Sequence, residues 1–221
     1  MPGDVADVRP FDRDWFKRHP VRVAFDLIGA FIVVDRDNFR VAARIVEVEA
    51  YGGDEDGASH ATMYRSGLEA LRSDPGVLYM QFAYGMHTMT NIVAHVGGGL
   101  GAVLLRAADD PTEGLALVQG RRDPKTSPLL VGPGCLSQGI GTRMSDTLKP
   151  LDEASGVRVE PGSPAEEVRA SPRIGISRGT EARWRFFEGA SRSVSKHRRG
   201  EIVHAGDLDA IIADLPECTA R

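Results

Sequence analysis

Two glutamates and a tyrosine alternate along one segment of the chain, Ile45-Val-Glu-Val-Glu-Ala-Tyr51. In a β-strand, alternation places Glu47, Glu49 and Tyr51 on one face and the small apolar side chains on the other. A carboxylate can act as a general base, and a phenol ring beside it offers a flat binding surface. The segment therefore predicts either the wall of a reactive cleft or, alternatively, the solvent-facing side of a strand.

The spacing of the two glutamates leaves a further alternative open. A rise of about 3.3 Å per residue separates Glu47 from Glu49 by about 7 Å. Two carboxylates at about that distance would suit an inverting glycoside hydrolase. A sugar or nucleoside hydrolase that uses both carboxylates is thus a rival function.

A second candidate is a predicted hairpin. Two strand-like runs, 78–83 and 87–93, are separated only by Tyr84-Gly-Met86. Exposed apolar residues at a hairpin tip indicate contact with a partner, and an inserted apolar wedge can unstack nucleic-acid bases. The alternative is a tip that folds back onto its own domain.

The elements that must position these residues are short and irregularly ordered. Further strands are predicted at 31–34, 39–51, 103–107, 173–177 and 185–188. Helices are predicted at about 20–28, 112–122, 133–141 and 206–214, with a long loop at 54–73 that holds one helical turn near 68–72. This mixture predicts an α+β single domain: a curved, largely antiparallel sheet with a protruding β-hairpin and surrounding helices.

Composition excludes several classes of protein. With 221 residues, 42% hydrophobic and 26% charged, the chain is globular rather than disordered or fibrous. No apolar run approaches the roughly 20 residues of a membrane-spanning helix. Cys135 and Cys218 are the only cysteines, and no Cys-x-x-Cys or His-Glu-x-x-His motif occurs. We therefore expect a cytoplasmic protein without a metal site.

The charge of the chain is unevenly placed. Net charge is −4, yet residues 173–199 hold eight Lys or Arg and two Glu, a local charge of +6. Because Trp184, Phe186 and Phe187 lie among these cations, the segment predicts a surface that faces phosphates. A solvated edge strand is the alternative.

Several short motifs follow one another in a fixed order along most of the chain. They are Arg44-Ile-Val-Glu-Val-Glu-Ala-Tyr51, Ala58-Ser-His60, Tyr84-Gly-Met-His87 with Asn91, Val103-Leu-Leu-Arg106-Ala, Glu113-Gly-Leu115, Gly132-Pro-Gly134 and Arg173-Ile-Gly175. Together they resemble the alkyladenine (3-methyladenine) DNA glycosylase family of base-excision repair, over roughly residues 11 to 195. The resemblance implies an enzyme that flips alkylated or deaminated purines, such as 3-methyladenine or hypoxanthine, out of duplex DNA and hydrolyses their N-glycosidic bond.

The resemblance also implies roles for individual residues. Glu49 matches the carboxylate that deprotonates a water for attack on C1′, and Arg106 matches the arginine that holds this carboxylate and water. Since no lysine occupies a matched catalytic position, a Schiff-base lyase step is not expected.

The flipped base is expected in a pocket of matched positions. It would stack on Tyr51 beside His60, with backbone groups of Ala58 and His60 reading its edge. Asn91 matches a side chain that discriminates against the amino group of guanine, and Gln81 stands where the family commonly has an aromatic wall.

The hairpin matches the part of the family fold that enters the DNA minor groove. Tyr84 would fill the gap left by the flipped nucleotide, while Met86 and His87 would contact the groove beside it. The expected partner is double-stranded DNA that contains a damaged purine, bound by a monomer without a cofactor and associated with the nucleoid.

The expected domain limits follow the extent of the match. Residues 1–10 are predicted to be a flexible leader, 11–205 the glycosylase domain and 206–221 a C-terminal tail.

The chain departs from the family pattern at three places. Gln81 removes one stacking surface, the loop 62–74 lacks a Thr-x-Arg-Asn stretch, and Cys135 stands where a lysine is common. These differences put the range of lesions in doubt. They also leave open a rival function, a catalytically weak or inactive module that only binds damaged DNA.

Overall fold

The computed structural model describes residues 9–36, 38–63, 65–83, 85, 87–123, 125, 128–196 and 198–214. The strands are β1 Phe31–Arg36, β2 Phe39–Tyr51, β3 Leu78–Ala83, β4 His87–Val93, β5 Ala102–Ala108, β6 Val157–Glu160, β7 Val168–Ser171, β8 Arg185–Glu188 and β9 Glu201–Val203. The α-helices are α1 Pro20–Leu27, α2 His60–Met63, α3 Arg65–Leu71, α4 Leu115–Arg121, α5 Pro133–Ile140 and α6 Leu208–Ile212.

All described strand pairs are antiparallel and belong to one nine-stranded sheet. Seven strands follow in the order β3-β4-β5-β2-β8-β7-β9, and β1 pairs with both β2 and β6. The predicted α+β single domain with an antiparallel sheet is therefore confirmed. No described helix is both long and apolar enough to cross a membrane.

Strand β2 joins the two parts of this sheet. Residues 39–44 pair with β1, and the second half of the strand pairs with β5 and β8. The β2–β5 register shifts on both sides of Glu47 and leaves Val46 and Arg106 without a directly paired residue. Such a bulge bends a strand and turns a side chain toward a new direction, often beside an active site.

Helix α1, which the sequence pattern predicts at about 20–28, covers the core side of β2. Pro20 occupies the first turn, where its missing N–H costs nothing, and the His19 imidazole accepts a hydrogen bond from the Val21 amide. The apolar face, which includes Ala24 and Leu27, is fully buried. This helix shields from water the strand that carries the two glutamates.

The predicted strand at 173–177 is wrong. The strand is β7, which ends at Ser171 and pairs with β8 and β9. Pro172 follows it and, because proline has no N–H to donate, cannot continue the ladder. Residues 173–177 form bends and irregular backbone instead. Strands β6 and β9, of four and three residues, were not predicted.

Two other boundaries differ from the sequence pattern. The helix predicted at 112–122 begins only at Leu115, because the Thr112 amide donates to Ala42 and Gly114 adopts a left-handed conformation with φ +80°. The loop predicted at 54–73 contains both α2 and α3 rather than one helical turn.

The basic segment 173–199 does not form the predicted aromatic surface. Trp184, Phe186 and Phe187 are buried in the core, and β8 lies between β2 and β7 rather than at an edge of the sheet. Both alternatives for this segment are thus wrong for its central part. Its exposed cations lie elsewhere, at Arg178, Arg192, Lys196, Arg198 and Arg199.

The predicted hairpin is confirmed as β3 and β4, which pair from Leu78↔Ile92 to Ala83↔His87. Near its tip Phe82 is 58% exposed, and His87 is exposed as well. Tyr84 and Met86 lie outside the described residues, so their predicted roles stay predictions.

Candidate active site

Glu47 and Glu49 lie side by side on the second half of β2, and neither is accessible to solvent. The alternative that these glutamates lie on the solvent-facing side of a strand is therefore wrong. The prediction that both lie on one face of the strand is supported, because both bind the same arginine. Arg106, on the bulge of β5, donates from Nε to Glu47 Oε1 at 3.0 Å and from Nη1 to Glu49 Oε2 at 3.1 Å.

Glu49 accepts hydrogen bonds from three different parts of the chain. Its Oε1 accepts from the Ile174 amide at 2.7 Å. Its Oε2 accepts from the Tyr51 hydroxyl at 2.8 Å as well as from Arg106. Both carboxylate oxygens of Glu49 are thus held by donors of the protein, which fixes the plane and position of this buried group.

Glu47 also accepts three hydrogen bonds, of which the one from Arg106 Nε is given above. Its Oε1 also accepts from Arg185 Nε at 2.7 Å, and its Oε2 accepts from the Ser195 amide at 2.7 Å. Two buried carboxylates thus face two buried guanidinium groups, so the cluster is neutral as a whole. Burial opposes the charge of Arg106, but the carboxylates of Glu49 and Glu47 outweigh it and raise the pKa of that guanidinium.

This cluster predicts a loss of stability in acid. Burial alone would raise the pKa of Glu47, but Arg185, Arg106 and the Ser195 amide together lower it below the ordinary value of 4.5. The unfolded chain then takes up this proton first, so the stabilisation is complete above about pH 4.5 and is lost as pH falls through the folded-state pKa. We expect the thermal midpoint of the wild type to fall more steeply between pH 5 and about pH 3 than that of Glu47→Gln. Equal slopes in a calorimetric series would contradict this expectation.

Tyr51 contacts both the Glu49 carboxylate and the Arg173 side chain. Burial, together with the Glu49 carboxylate, raises the pKa of Tyr51 well above its usual value, so its hydroxyl stays protonated and donates to Glu49. The Arg173 guanidinium lies 4.7 Å from the centre of its ring. A cation over one face of the ring fixes the plane of the phenol.

The loop after β2 is built around the buried pair of Asp56 and Arg173. Arg173 donates to the two carboxylate oxygens at 2.6 and 2.8 Å, and also to the Ala50 carbonyl at 3.0 Å. The same carboxylate accepts from the amides of Gly52 and Ala58 at 2.9 and 3.0 Å. Because the N–H of Ala58 is used here, a contact between Ala58 and a base would have to use its carbonyl oxygen.

His60 joins the loop to the hairpin. Its Nδ1 lies 2.9 Å from the Tyr79 hydroxyl, and its Nε2 lies 2.9 Å from Nε2 of Gln81. Burial lowers the pKa of His60 below 6.5, so the imidazole is neutral at pH 7. An amide nitrogen can only donate, so Nε2 is the acceptor and Nδ1 carries the proton.

Asn91 lies within β4, opposite Leu104 of β5 and Tyr79 of β3. It is buried, and its Nδ2 donates to the Tyr79 carbonyl at 3.0 Å. That bond fixes the direction of the amide, so Asn91 has a structural reason for its orientation beside any role toward a base. Asn91 and Glu49 thus both flank β5 on neighbouring strands, opposite Leu104.

Several residues of this site were not found by sequence reasoning. Arg185 counted only as a member of the basic segment. Arg173 counted there and in the motif Arg173-Ile-Gly175, but without a role, and Asp56 was not singled out. The amides of Ile174 and Ser195 carry no side-chain signal at all. Apart from Asp56, these groups come from the C-terminal part of the chain, so their contacts with β2 could be found only through the fold.

Comparison with known protein families identifies the family of this chain. A family model described as methylpurine-DNA glycosylase (MPG) matches residues 14–192. The chain belongs to the methylpurine-DNA glycosylase family. Members of this family are hydrolases of N-glycosyl bonds in DNA, so the chain is a glycosylase-family protein whose partner is DNA.

Three curated relatives bear the provisional name of a 3-methyladenine DNA glycosylase. The protein from Chlorobaculum parvum is 41% identical and covers 85% of this chain and 91% of its own length. That from Chlorobaculum tepidum is 38% identical with the same coverage. The protein from Nocardia farcinica is 39% identical and covers 81% of this chain and 88% of its own length.

Proposed function

We propose that the protein is a monofunctional DNA glycosylase that flips alkylated or deaminated purines from duplex DNA and hydrolyses their N-glycosidic bond. The observation that carries the proposal is the fully buried Glu49, which accepts hydrogen bonds from Arg106, the Tyr51 hydroxyl and the Ile174 amide. Such a carboxylate is costly to bury, and its charge is useful where a positive charge develops during reaction.

The proposed reaction uses this charge in two ways. Water oxygen forms a bond to C1′ as the bond from C1′ to the purine nitrogen breaks, and the electron pair of the broken bond leaves with the base. The proton of the water passes to Glu49. Before that transfer, the negative carboxylate stabilises the oxocarbenium-like sugar.

Arg106 acts through Glu49 in this proposal. Because Arg106 also binds Glu47, its guanidinium is held from two sides, which fixes its position relative to Glu49.

A purine alkylated on a ring nitrogen carries a positive charge and becomes neutral as it leaves. Such a lesion therefore needs less acid assistance than hypoxanthine.

The base would be held between β2, the loop that follows it and the hairpin. Tyr51 offers a ring that is oriented by Arg173, and His60 offers a neutral imidazole that is oriented by Tyr79 and Gln81. Asn91 would exclude the amino group of undamaged guanine. Flipping costs least at a damaged or mispaired base, which itself favours lesions.

The hairpin would supply the contacts inside the groove. Tyr84 would occupy the gap in the base stack, with Met86 and His87 beside it. The exposed Phe82 near the tip and the exposed His87 support a hairpin that faces a partner rather than the core.

The proposal is tested with duplex oligonucleotides that carry one hypoxanthine, one 1,N6-ethenoadenine or random methylpurines. We expect abasic sites that become strand breaks only after alkali, because no Schiff-base lyase step is proposed. Tight binding without excision of any lesion would contradict the proposal and favour the damage-binding module. Excision of free nucleosides that is indifferent to DNA would favour the sugar-hydrolase alternative.

Gln81 supplies a prediction about lesion range. Replacing Gln81 by Tyr adds a second stacking surface, worth about 1–3 kcal/mol per base. We therefore expect the affinity for ethenoadenine-containing duplex to rise about tenfold, measured by fluorescence anisotropy. Gln81→Leu is the matched control, since it also removes the amide next to His60 but adds no ring. An equal gain in the two variants would show that stacking is not the cause.

A further inference from the structure

An open cavity of about 510 Å³ lies where the start of β4 meets α4 and α5. We call this cavity the basic recess, and its lining includes His87, Arg121, Gly134, Gly141, Thr142 and Arg143. None of the residues proposed to hold the base or the water lines it. The basic recess is thus separate from the proposed base pocket. It adjoins the hairpin, because His87 lines it and directly follows the connection 84–86.

Two glycines give the recess its shape. A Cβ on Gly134 would stand 3.0 Å from the His87 ring. A Cβ on Gly141, whose φ is +85°, would stand 2.6 Å from Nη1 of Arg121. A larger residue would therefore push on the imidazole, which lies against the first turn of α5, or on the guanidinium, which lies against the residue that ends this helix.

Arg121 is held in place from two directions. Its Nη1 donates to the Gly139 carbonyl at 3.0 Å, and its guanidinium stacks over the Phe39 ring at 4.3 Å. Thr142, at the floor, is buried and bonds Thr90 through its hydroxyl at 2.8 Å. A cation fixed in this way loses little conformational entropy when it binds an anion.

The contacts around Arg121 leave an excess of positive charge. Asp146 already accepts hydrogen bonds from Arg36 at 2.7 Å and from Lys149 at 3.1 Å. Burial, and then repulsion by Arg143 and Arg36, lowers the pKa of Arg121. A bound anion would relieve this repulsion, whereas a neutral ligand would not.

We infer that the basic recess binds one backbone phosphate of duplex DNA through Arg121 and Arg143. The inference rests on the proposed function for the identity of the ligand, because the hairpin next to His87 is the part proposed to enter the groove. A phosphate contact fixes the position of the protein on the duplex and carries no sequence information. The recess would therefore bind damaged and undamaged DNA equally well, and would restore near α5 the positive charge that Cys135 does not supply.

The test compares the wild type with Arg143→Gln, whose side chain is exposed, on the same undamaged and damaged duplexes between 50 and 200 mM salt. Losing one phosphate contact is expected to reduce the slope of log K against log salt by about 0.9, so that the affinity ratio of the two proteins changes about 3.5-fold over this range. Arg143→Lys should keep the slope. Arg22→Gln is the charge-matched control, because Arg22 pairs with Asp209 on α6, and it should leave the slope unchanged.

The outcomes separate this inference from the proposed function. An unchanged slope for Arg143→Gln in a protein that still excises lesions would overturn the recess and leave the glycosylase intact. A reduced slope for Arg143→Gln, when neither this variant nor the wild type excises any lesion, would support the recess and contradict the proposed glycosylase. Calorimetry with inorganic phosphate tests whether free phosphate, rather than DNA, is the ligand. Phosphate binding that depends on Arg143, without a change in the salt slope for DNA, would also overturn the inference.

Discussion

Replacing Glu49 by Gln is expected to lower the single-turnover rate of lesion excision by about 10³-fold, within the roughly 10² to 10⁴ that a positioned base contributes. The amide has nearly the same shape but no charge, so it can neither accept the proton of the water nor stabilise the cationic sugar. It also leaves Arg106 with one carboxylate instead of two. Rates are measured on a duplex with one hypoxanthine, with the enzyme in excess and saturating.

Two controls keep this result interpretable. Glu153→Gln makes the same chemical change at an exposed position and should excise at the wild-type rate. The affinity of Glu49→Gln for damaged duplex and its thermal midpoint show whether the variant is folded. A folded Glu49→Gln protein that excises within tenfold of the wild-type rate would remove Glu49 from the proposed mechanism.

Replacing Asp56 by Ala is expected to lower the free energy of unfolding by about 3–5 kcal/mol, the cost of leaving one partner of a buried ion pair uncompensated. Both side chains of the Asp56–Arg173 pair are fully buried. Two backbone amides, of Gly52 and Ala58, would lose their acceptor as well. The measurement is urea unfolding followed by tryptophan fluorescence, which is suitable because Trp184 lies 5.4 Å from the Arg173 guanidinium.

The structure offers a matched control and a rescue. Asp74→Ala breaks the Arg13–Asp74 pair, whose side chains are 48% and 81% exposed, and should cost no more than about 1 kcal/mol. The double variant Asp56→Leu with Arg173→Met removes both charges and should recover part of the lost stability. A loss in Asp56→Ala as small as that in Asp74→Ala would mean that the buried pair does not stabilise the loop.

Much of the frame of the site could be predicted from local patterns. The alternation in β2 indicated that Glu47, Glu49 and Tyr51 share a face, and the two runs around residues 84–86 indicated the hairpin. Both patterns depend only on neighbouring residues. The first, however, could not show that the carboxylates are buried, because that depends on Arg106 and Arg185 from other strands.

The errors have the same origin. Arg173 and Arg185 carry charge in a segment that resembles a surface, and only long-range pairing with Asp56 and Glu47 explains why they are buried. The aromatic residues around Arg185 were misplaced for this reason too. The family resemblance supplied expected roles for single residues, which periodicity alone left open. The family itself is established by comparison over most of the chain.

The bonds around the two glutamates connect residues that are far apart along the chain. Glu47 alone meets Arg106, Arg185 and Ser195, up to 148 positions away. Contacts of such long sequence separation close late and slowly during folding, because large loops must be ordered first. A nascent chain that has not yet emerged as far as Ser195 therefore lacks a complete set of partners for its buried carboxylates. The cluster can form in full only after residue 195 has been synthesised and the sheet has closed.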